Sequence, residues 1–371
     1  MDKKKKILEK MSEMSLTQLE EMINNYVEKI QRDGARRNRK IYDDRLFVMP
    51  ESVRRSYESA QKSRDENLSR WAKRISSLPS TFMPPLYREH DLIVNAKRVW
   101  GENVCGLEEV YRKIILHAVA YAKTGKQKAL LLAGMPGCGK TTVAKIYAEI
   151  LGLPYFFING PRAARGRGLS GDAAVYQFAD AGELVSGICQ TGCANPVFVI
   201  DEIDKVPSYA GTGGTFADEV LSLLDDSSKE FMDNYLTFSL NLSHSPVILT
   251  ANDLKSVSEP LLDRCEVIEF PENSKEDIAD IVKKITLPNA LNAFDCKEQV
   301  IVEDKLVDTV VEKLYGRGII SIRTYQTVIS NIVNQGYIRY LETDHVVNIE
   351  ESEINNEISK ISGSGKKVIG F

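Results

Sequence analysis

The chain has 371 residues, 43% of them hydrophobic and 27% charged, with a formal net charge of −4, the composition of an ordinary globular protein of two or three domains. No apolar run approaches the ~20 residues needed to cross a bilayer, and the lysines of MDKKKKILEK precede no apolar stretch, which argues against a secretory leader and for a cytoplasmic protein with no membrane partner. Of six cysteines only Cys189 and Cys193 lie close together, and with no second pair to complete a zinc site they read as reduced thiols.

Residues 1–92 read as a helical N-terminal region. Apolar groups at Leu8, Met11, Leu16, Leu19, Ile23, Tyr26 and Ile30 recur at helical spacing, with a capping-box pattern at Ser15 and Gln18. A second helical stretch is expected from about Glu51 to Ile75, ended by Pro79, Pro84 and Pro85 in a linker. Residues 1–100 hold 22 Lys and Arg against 15 Asp and Glu, concentrated at Arg32, Arg36, Arg37, Arg39, Lys40 and Arg45. That cluster is either a solvated helical face or a contact for nucleic acid.

Residues 93–272 carry a different pattern. After the amphipathic helix GLEEVYRKIILHAVAYAK, with Leu107, Val110, Ile114 and Ala118 on one face, short apolar runs alternate with helices. The runs are ALLLA, YFFIN at 155–159, VFVI at 197–200, VILT at 247–250 and VIEF at 267–270, which predict a parallel sheet covered on both faces. His117, alone on its helix, reads as packed or solvated. Residues 273–345 turn helical, with stripes over 278–285, 306–314 and 322–340, and are expected to form a small domain. Residues 346–371, ending Val368, Ile369, Gly370, Phe371, are expected to be a flexible tail.

The chemistry centres on LLLAGMPGCGKTT. An apolar strand stops at Gly134, Met135, Pro136, Gly137, Cys138 and Gly139, and a helix restarts at Lys140, Thr141 and Thr142. Glycines let consecutive backbone N–H groups curl around a polyphosphate, and the helix N-terminus offers its positive dipole end to the same anion. Lys140 is placed to reach the outer phosphates and Thr141 to ligate Mg²⁺. Cys138 reads as a small filler. The strand VFVI ends in Asp201 and Glu202 at the carboxyl edge of the sheet, where open α/β sheets bind ligands. Asp201 suits the Mg²⁺ shell and Glu202 the orientation of an attacking water. Asn252 closes VILTAN, where it either senses the terminal phosphate or makes a turn. Arg264 precedes the last strand and is either a surface ion pair or a cation delivered to a neighbouring subunit.

With these motifs in this order, the chain resembles, over about residues 98–340, the AAA+ ATPase module of Lon-type proteases. GLEEVYRKII, GMPGCGKTT, NPVFVIDEIDK, LSHSPVILTAND, EPLLDRCEVIEF and YGRGIISIRTY carry the resemblance. It implies an AAA+ P-loop ATPase fold, α/β, with a parallel sheet flanked by helices, a small helical lid and a helical N-terminal region. It also implies ATP and Mg²⁺, sensor roles for Asn252 and for Arg323 of the lid, and Arg264 as a finger reaching into the next subunit of a ring, a hexamer. Cys105 and Gly106 fall where that family contacts adenine, and 171–184 aligns with its substrate-gripping loop, placing Tyr176 at the aromatic position, followed by Gln177 and Phe178. A Lon-type enzyme continues into a Ser/Lys proteolytic domain; with none following here, the expectation is an ATPase that remodels or unfolds a protein and is not an autonomous protease. The alternative is a nucleic-acid-associated ATPase of a multi-gene defence or mobile-element system, using Arg32 to Arg45. A third reading is a scaffold whose apolar tail holds a separate effector enzyme.

Overall fold

The computed structural model describes residues 45–83, 89–206 and 215–361. The cluster Arg32, Arg36, Arg37, Arg39 and Lys40, the stripe over 7–31, Pro84, Pro85 and the tail Val368–Phe371 lie outside the described residues.

Helices α1 (Glu51–Gln61) and α2 (Glu66–Ser76) replace the single expected helix. The break has a local cause: the Asp65 carboxylate accepts from the backbone N–H of Asn67 at 2.8 Å and of Leu68 at 3.0 Å, capping a new helix rather than continuing the old one. Helix α3 (Glu89–Asn103) runs through the expected boundary at 92, and α4 (Glu108–Thr124) follows it. The alternation then proceeds as β1 (Ala129–Ala133), α5 (Lys140–Leu151), β2 (Tyr155–Asn159), α6 (Gly160–Arg165), α7 (Glu183–Thr191), β3 (Val197–Asp201) and α8 (Phe216–Leu224). A hairpin of β4 (Phe231–Asp233) and β5 (Phe238–Leu240) precedes β6 (Val247–Ala251), α9 (Glu259–Arg264) and β7 (Cys265–Glu269).

The five main strands are all parallel, in the order β2-β3-β6-β1-β7. Strand alternation sends Leu130, Leu132, Val197, Val199 and Ile248 to one face, where they pack with Leu92, Val99 and Trp100 of α3, Ile114 of α4 and Tyr147 of α5. Leu131, Phe198, Ile200 and Leu249 point to the other face and share a core with Val53 and Ala60 of α1 and Trp71, Ala72 and Ile75 of α2. The boundary expected at 92 falls inside α3, and α1 and α2 share one apolar cluster with that face of the sheet, with α7 and with the β4–β5 hairpin. Trp71 ties α2 to that hairpin by donating its indole N–H to the Tyr235 carbonyl at 3.0 Å.

The small domain contains α10 (Lys275–Ile281), a π turn over Val282–Thr286, α11 (Leu287–Ala293), β8 (Val300–Ile301), α12 (Asp304–Tyr315), α13 (Ile322–Thr343), β9 (Val347–Asn348) and α14 (Glu351–Lys360). Pro288 lacks the N–H that would bond the carbonyl of Lys284, and the helix widens just before it. The expected tail from 346 is also corrected. Val347 and Asn348 pair in parallel with Val300 and Ile301, and α14 buries Ile354 and Ile358 in the small-domain core. Gly336 of α13 makes room for that ladder, since a methyl group there would meet Ile349 and Val300.

His117 is packed, with one ring nitrogen 2.8 Å from the Tyr147 hydroxyl and the other 2.7 Å from the Lys128 carbonyl. Burial, against the Lys128 hydrogen bond, pushes its pKa down to about 4. The unfolded chain therefore takes a proton at His117 near pH 6.5 that the folded chain refuses, so this group's stabilising contribution is present above pH 6.5 and is lost as pH falls towards 4. Urea unfolding midpoints are expected to fall between pH 7 and pH 4.5, by the equivalent of about 2–3 kcal/mol from this group, and to fall less steeply in His117→Gln.

Candidate nucleotide site

Three strands of the sheet end side by side at one edge. Because β6 lies between β3 and β1, the loop after β1, the carboxylates after β3 and Asn252 after β6 emerge as neighbours. The loop after β1 turns through glycines in the left-handed region, Gly137 at φ +82° and Gly139 at φ +100°. Lys140 opens α5 with its side chain buried. Its ammonium donates to the carbonyls of Gly134 at 2.6 Å and Met135 at 3.0 Å and to Oδ1 of Asn252 at 3.0 Å. Cys138 beside it is buried, and burial raises its thiol pKa despite the nearby lysine, in keeping with a filler.

Asp201 and Glu202 are organised by a residue that sequence reasoning passed over. The hydroxyl of Thr250, 1% exposed on β6, donates to Oδ1 of Asp201 and accepts from the Glu202 backbone N–H at 3.1 Å. Glu202 itself sits at φ +57°, a left-handed conformation that costs a non-glycine residue about 1–3 kcal/mol and turns the chain sharply at the strand end. Lys205, one turn on, pairs its ammonium with Oε1 of Glu202, and that bond raises the lysine's pKa. Thr250 was legible only as a strand residue, and Lys205 only as the end of a motif.

A cleft of about 450 Å³ lies over this edge, closed on its far side by the small domain. Pro136, Gly137, Cys138, Gly139, Lys140, Thr141, Thr142, Asp201, Glu202 and Asn252 line it from the sheet side. Arg323 and Gln326 of α13 line it from the other. At one end Val104, Cys105 and Leu107 face Ile281 and Ile285, an apolar slot suited to a flat ring. Gly106, Gly134 and Met135 are not among the lining residues; Gly106 supplies a turn at φ +66°, and Gly134 a close approach where a methyl group would meet Phe270. The small domain touches the phosphate loop directly, since a methyl group on Gly137 would strike the hydroxyl of Ser321, the N-cap of α13.

Four expected site residues lie elsewhere. Arg264 ends α9 and donates from Nε to Oδ1 of Asp225 at 2.5 Å and from Nη1 to the Pro260 carbonyl at 3.0 Å. Tyr176, Gln177 and Phe178 sit on a loop between α6 and α7, with Tyr176 68% and Phe178 75% exposed.

The residues fit a magnesium nucleotide: a glycine loop at a helix N-terminus, a lysine, and an oriented aspartate beside a threonine are the donors that chemistry uses. Among the described residues no group of three or more His, Cys, Asp or Glu is placed to hold a metal without such a ligand, and no helix is long and apolar enough to cross a membrane. Replacing Thr250 by valine is expected to lower ATP turnover about 10–100-fold and to raise the Mg²⁺ concentration at half-maximal rate, read by steady-state assays across a magnesium titration.

Residues 130–272 match the family model described as "ATPase family associated with various cellular activities (AAA)". The chain is 31% identical over 274 residues to a Lon protease of Clostridioides difficile, covering 72% of this chain and 34% of that one. It is 36% identical over 227 residues to a Lon protease of Methanosarcina barkeri, covering 60% and 28%. The chain thus spans about a third of the length of these curated relatives. Among solved structures, the Thermotoga maritima RuvB Holliday junction branch migration motor aligns at 18% identity and a TM-score of 0.45, over 70% of this chain and 71% of that one. With the phosphate loop, the Asp201–Glu202 strand end and Asn252 all inside the matched segment, residues 130–272 are an AAA domain.

Proposed function

We propose that this chain is a Mg²⁺-dependent ATPase that assembles into a ring, a hexamer, and couples ATP hydrolysis to the remodelling or unfolding of a protein partner. The observation that carries this reading is the separation of Arg264 from the cleft that holds Lys140, Glu202 and Asn252. A finger role for that arginine requires a neighbouring subunit's cleft.

In this reading the loop from Gly134 to Gly139 and Lys140 hold the phosphates, and the slot at Cys105 receives the base. Thr141 and Asp201 hold Mg²⁺, whose charge offsets that of the phosphate oxygens. Glu202 orients the attacking water and takes its proton, with Lys205 holding the carboxylate. Asn252 senses the terminal phosphate, and Arg323 brings a cation from the lid. Tyr176, exposed on its loop beside Phe178, contacts the polypeptide. The nucleic-acid reading depends on Arg32 to Arg45, of which only Arg45 lies among the described residues.

Glu202→Gln is expected to bind ATP and to turn it over at least about 100-fold more slowly, measured by nucleotide binding and phosphate release on the same preparation; normal turnover would remove Glu202 from this role. Tyr176→Ala is expected to slow ATP-driven unfolding of a fluorescent protein carrying an unstructured extension by at least about tenfold, an effect far larger than any on ATP turnover. Unfolding at the parent rate in that variant would exclude Tyr176 as the gripping residue.

A further inference from the structure

Two carboxylates of the short helix α8, one near each end, reach different parts of the molecule. At its C-cap, Asp225 accepts from Nε of Arg264 at 2.5 Å. In its first turn, Glu219 accepts from the Leu169 backbone N–H at 2.8 Å and from the Ser170 hydroxyl. Leu169 and Ser170 are the entrance of the loop that carries Tyr176. Gly168 permits this approach, since a methyl group there would collide with the Glu219 carboxylate, and its φ of +66° suits glycine.

The loop is closed into one compact unit. Its two ends cross at Gly171 and Gly182, where a side chain on either would run into the other strand's backbone. Across that neck Asp172 N–H donates to the Asp180 carbonyl at 3.1 Å and Glu183 N–H to the Gly168 carbonyl at 3.1 Å. The buried carboxylate of Asp233 accepts from the Gly182 N–H at 3.0 Å, and Arg74 of α2 donates to both oxygens of Asp180 at 2.8 and 3.0 Å. Beyond the neck Val175, Tyr176 and Phe178 stand exposed. A displacement at Leu169 and Ser170 therefore reaches the aromatic tip with little flexing between.

We propose that Asp225 and Glu219 are positioning residues, through which α8 couples Arg264 to the Tyr176 loop; the coupling rests on the reading of Arg264 as a cation delivered to a neighbouring nucleotide. When the guanidinium leaves Asp225 for a phosphate, that carboxylate loses its cation while Asp226 remains next to it in sequence. Like charges at the helix end then favour a shift of α8. A helix of nine residues, about 13 Å long, passes that shift to Glu219 as a nearly rigid rod.

Hydrogen–deuterium exchange of the amides of residues 169–182 tests this without any protein substrate. In full-length Glu202→Gln, ATP and Mg²⁺ are expected to change exchange there at least about threefold. Adding Asp225→Ala or Glu219→Gln is expected to abolish the change with nucleotide kept saturating, while Asp225→Glu retains it. Unchanged exchange in β1 and β3 reports that each variant folds. A full-sized change in the Asp225→Ala protein, or none in the Glu202→Gln parent, overturns the coupling. Failure of the gripping role is a separate result, read from unfolding by Tyr176→Ala.

Discussion

A buried ammonium needs every proton hydrogen-bonded, and the Lys140 side chain meets that demand from the ends of two adjacent strands. Gly134 and Met135 supply carbonyls from the loop after β1, and Asn252 supplies an amide oxygen from the end of β6. That arrangement exists only because β6 is inserted beside β1 in the sheet order. The same insertion places β6 against β3, so that Thr250, two residues before Asn252, reaches the carboxylate of Asp201. One strand thus connects Lys140, Asp201 and Asn252. The crossover topology serves the chemistry, because parallel strands with helices on both faces bring three loops to one edge.

Much of this was legible. Five strands were visible as short apolar runs between helices, and all five are present, with the last beginning two residues earlier, at Cys265. The phosphate loop and the Asp-Glu pair follow from spacing, and the structure lines one cleft with both. What stayed hidden has physical reasons. The β4–β5 hairpin has three-residue strands, too short for alternation to register. The helix Glu351–Lys360 is mostly polar and declares itself only through Ile354 and Ile358, four apart, so it passed for a tail. Asp65 broke a helix that its flanking pattern would have continued, a side chain outcompeting propensity. Thr250 looked like any β-branched strand residue, and only the register shows where its hydroxyl points.

The small domain is not a bystander to the cleft. The contact between Ser321 and Gly137 sets the start of α13 against the phosphate loop, and Arg323, two residues on, lines the same opening. The angle of the lid and the shape of the loop are therefore linked through a position where no extra atom fits. The apolar slot at Cys105 is likewise shared between domains, with Ile281 and Ile285 facing Val104.

Helix α2 also carries a mechanical implication. Trp71, Ala72 and Ile75 lie in the same apolar layer as Phe198 and Leu249 of the central strands, and Arg74 of that helix grips Asp180 at the neck of the Tyr176 loop. The helix is thus joined at once to the apolar core beside the sheet and to the neck of the Tyr176 loop. If, as proposed, Tyr176 grips a polypeptide, the load it bears passes through Arg74 into a packed core instead of a hinge.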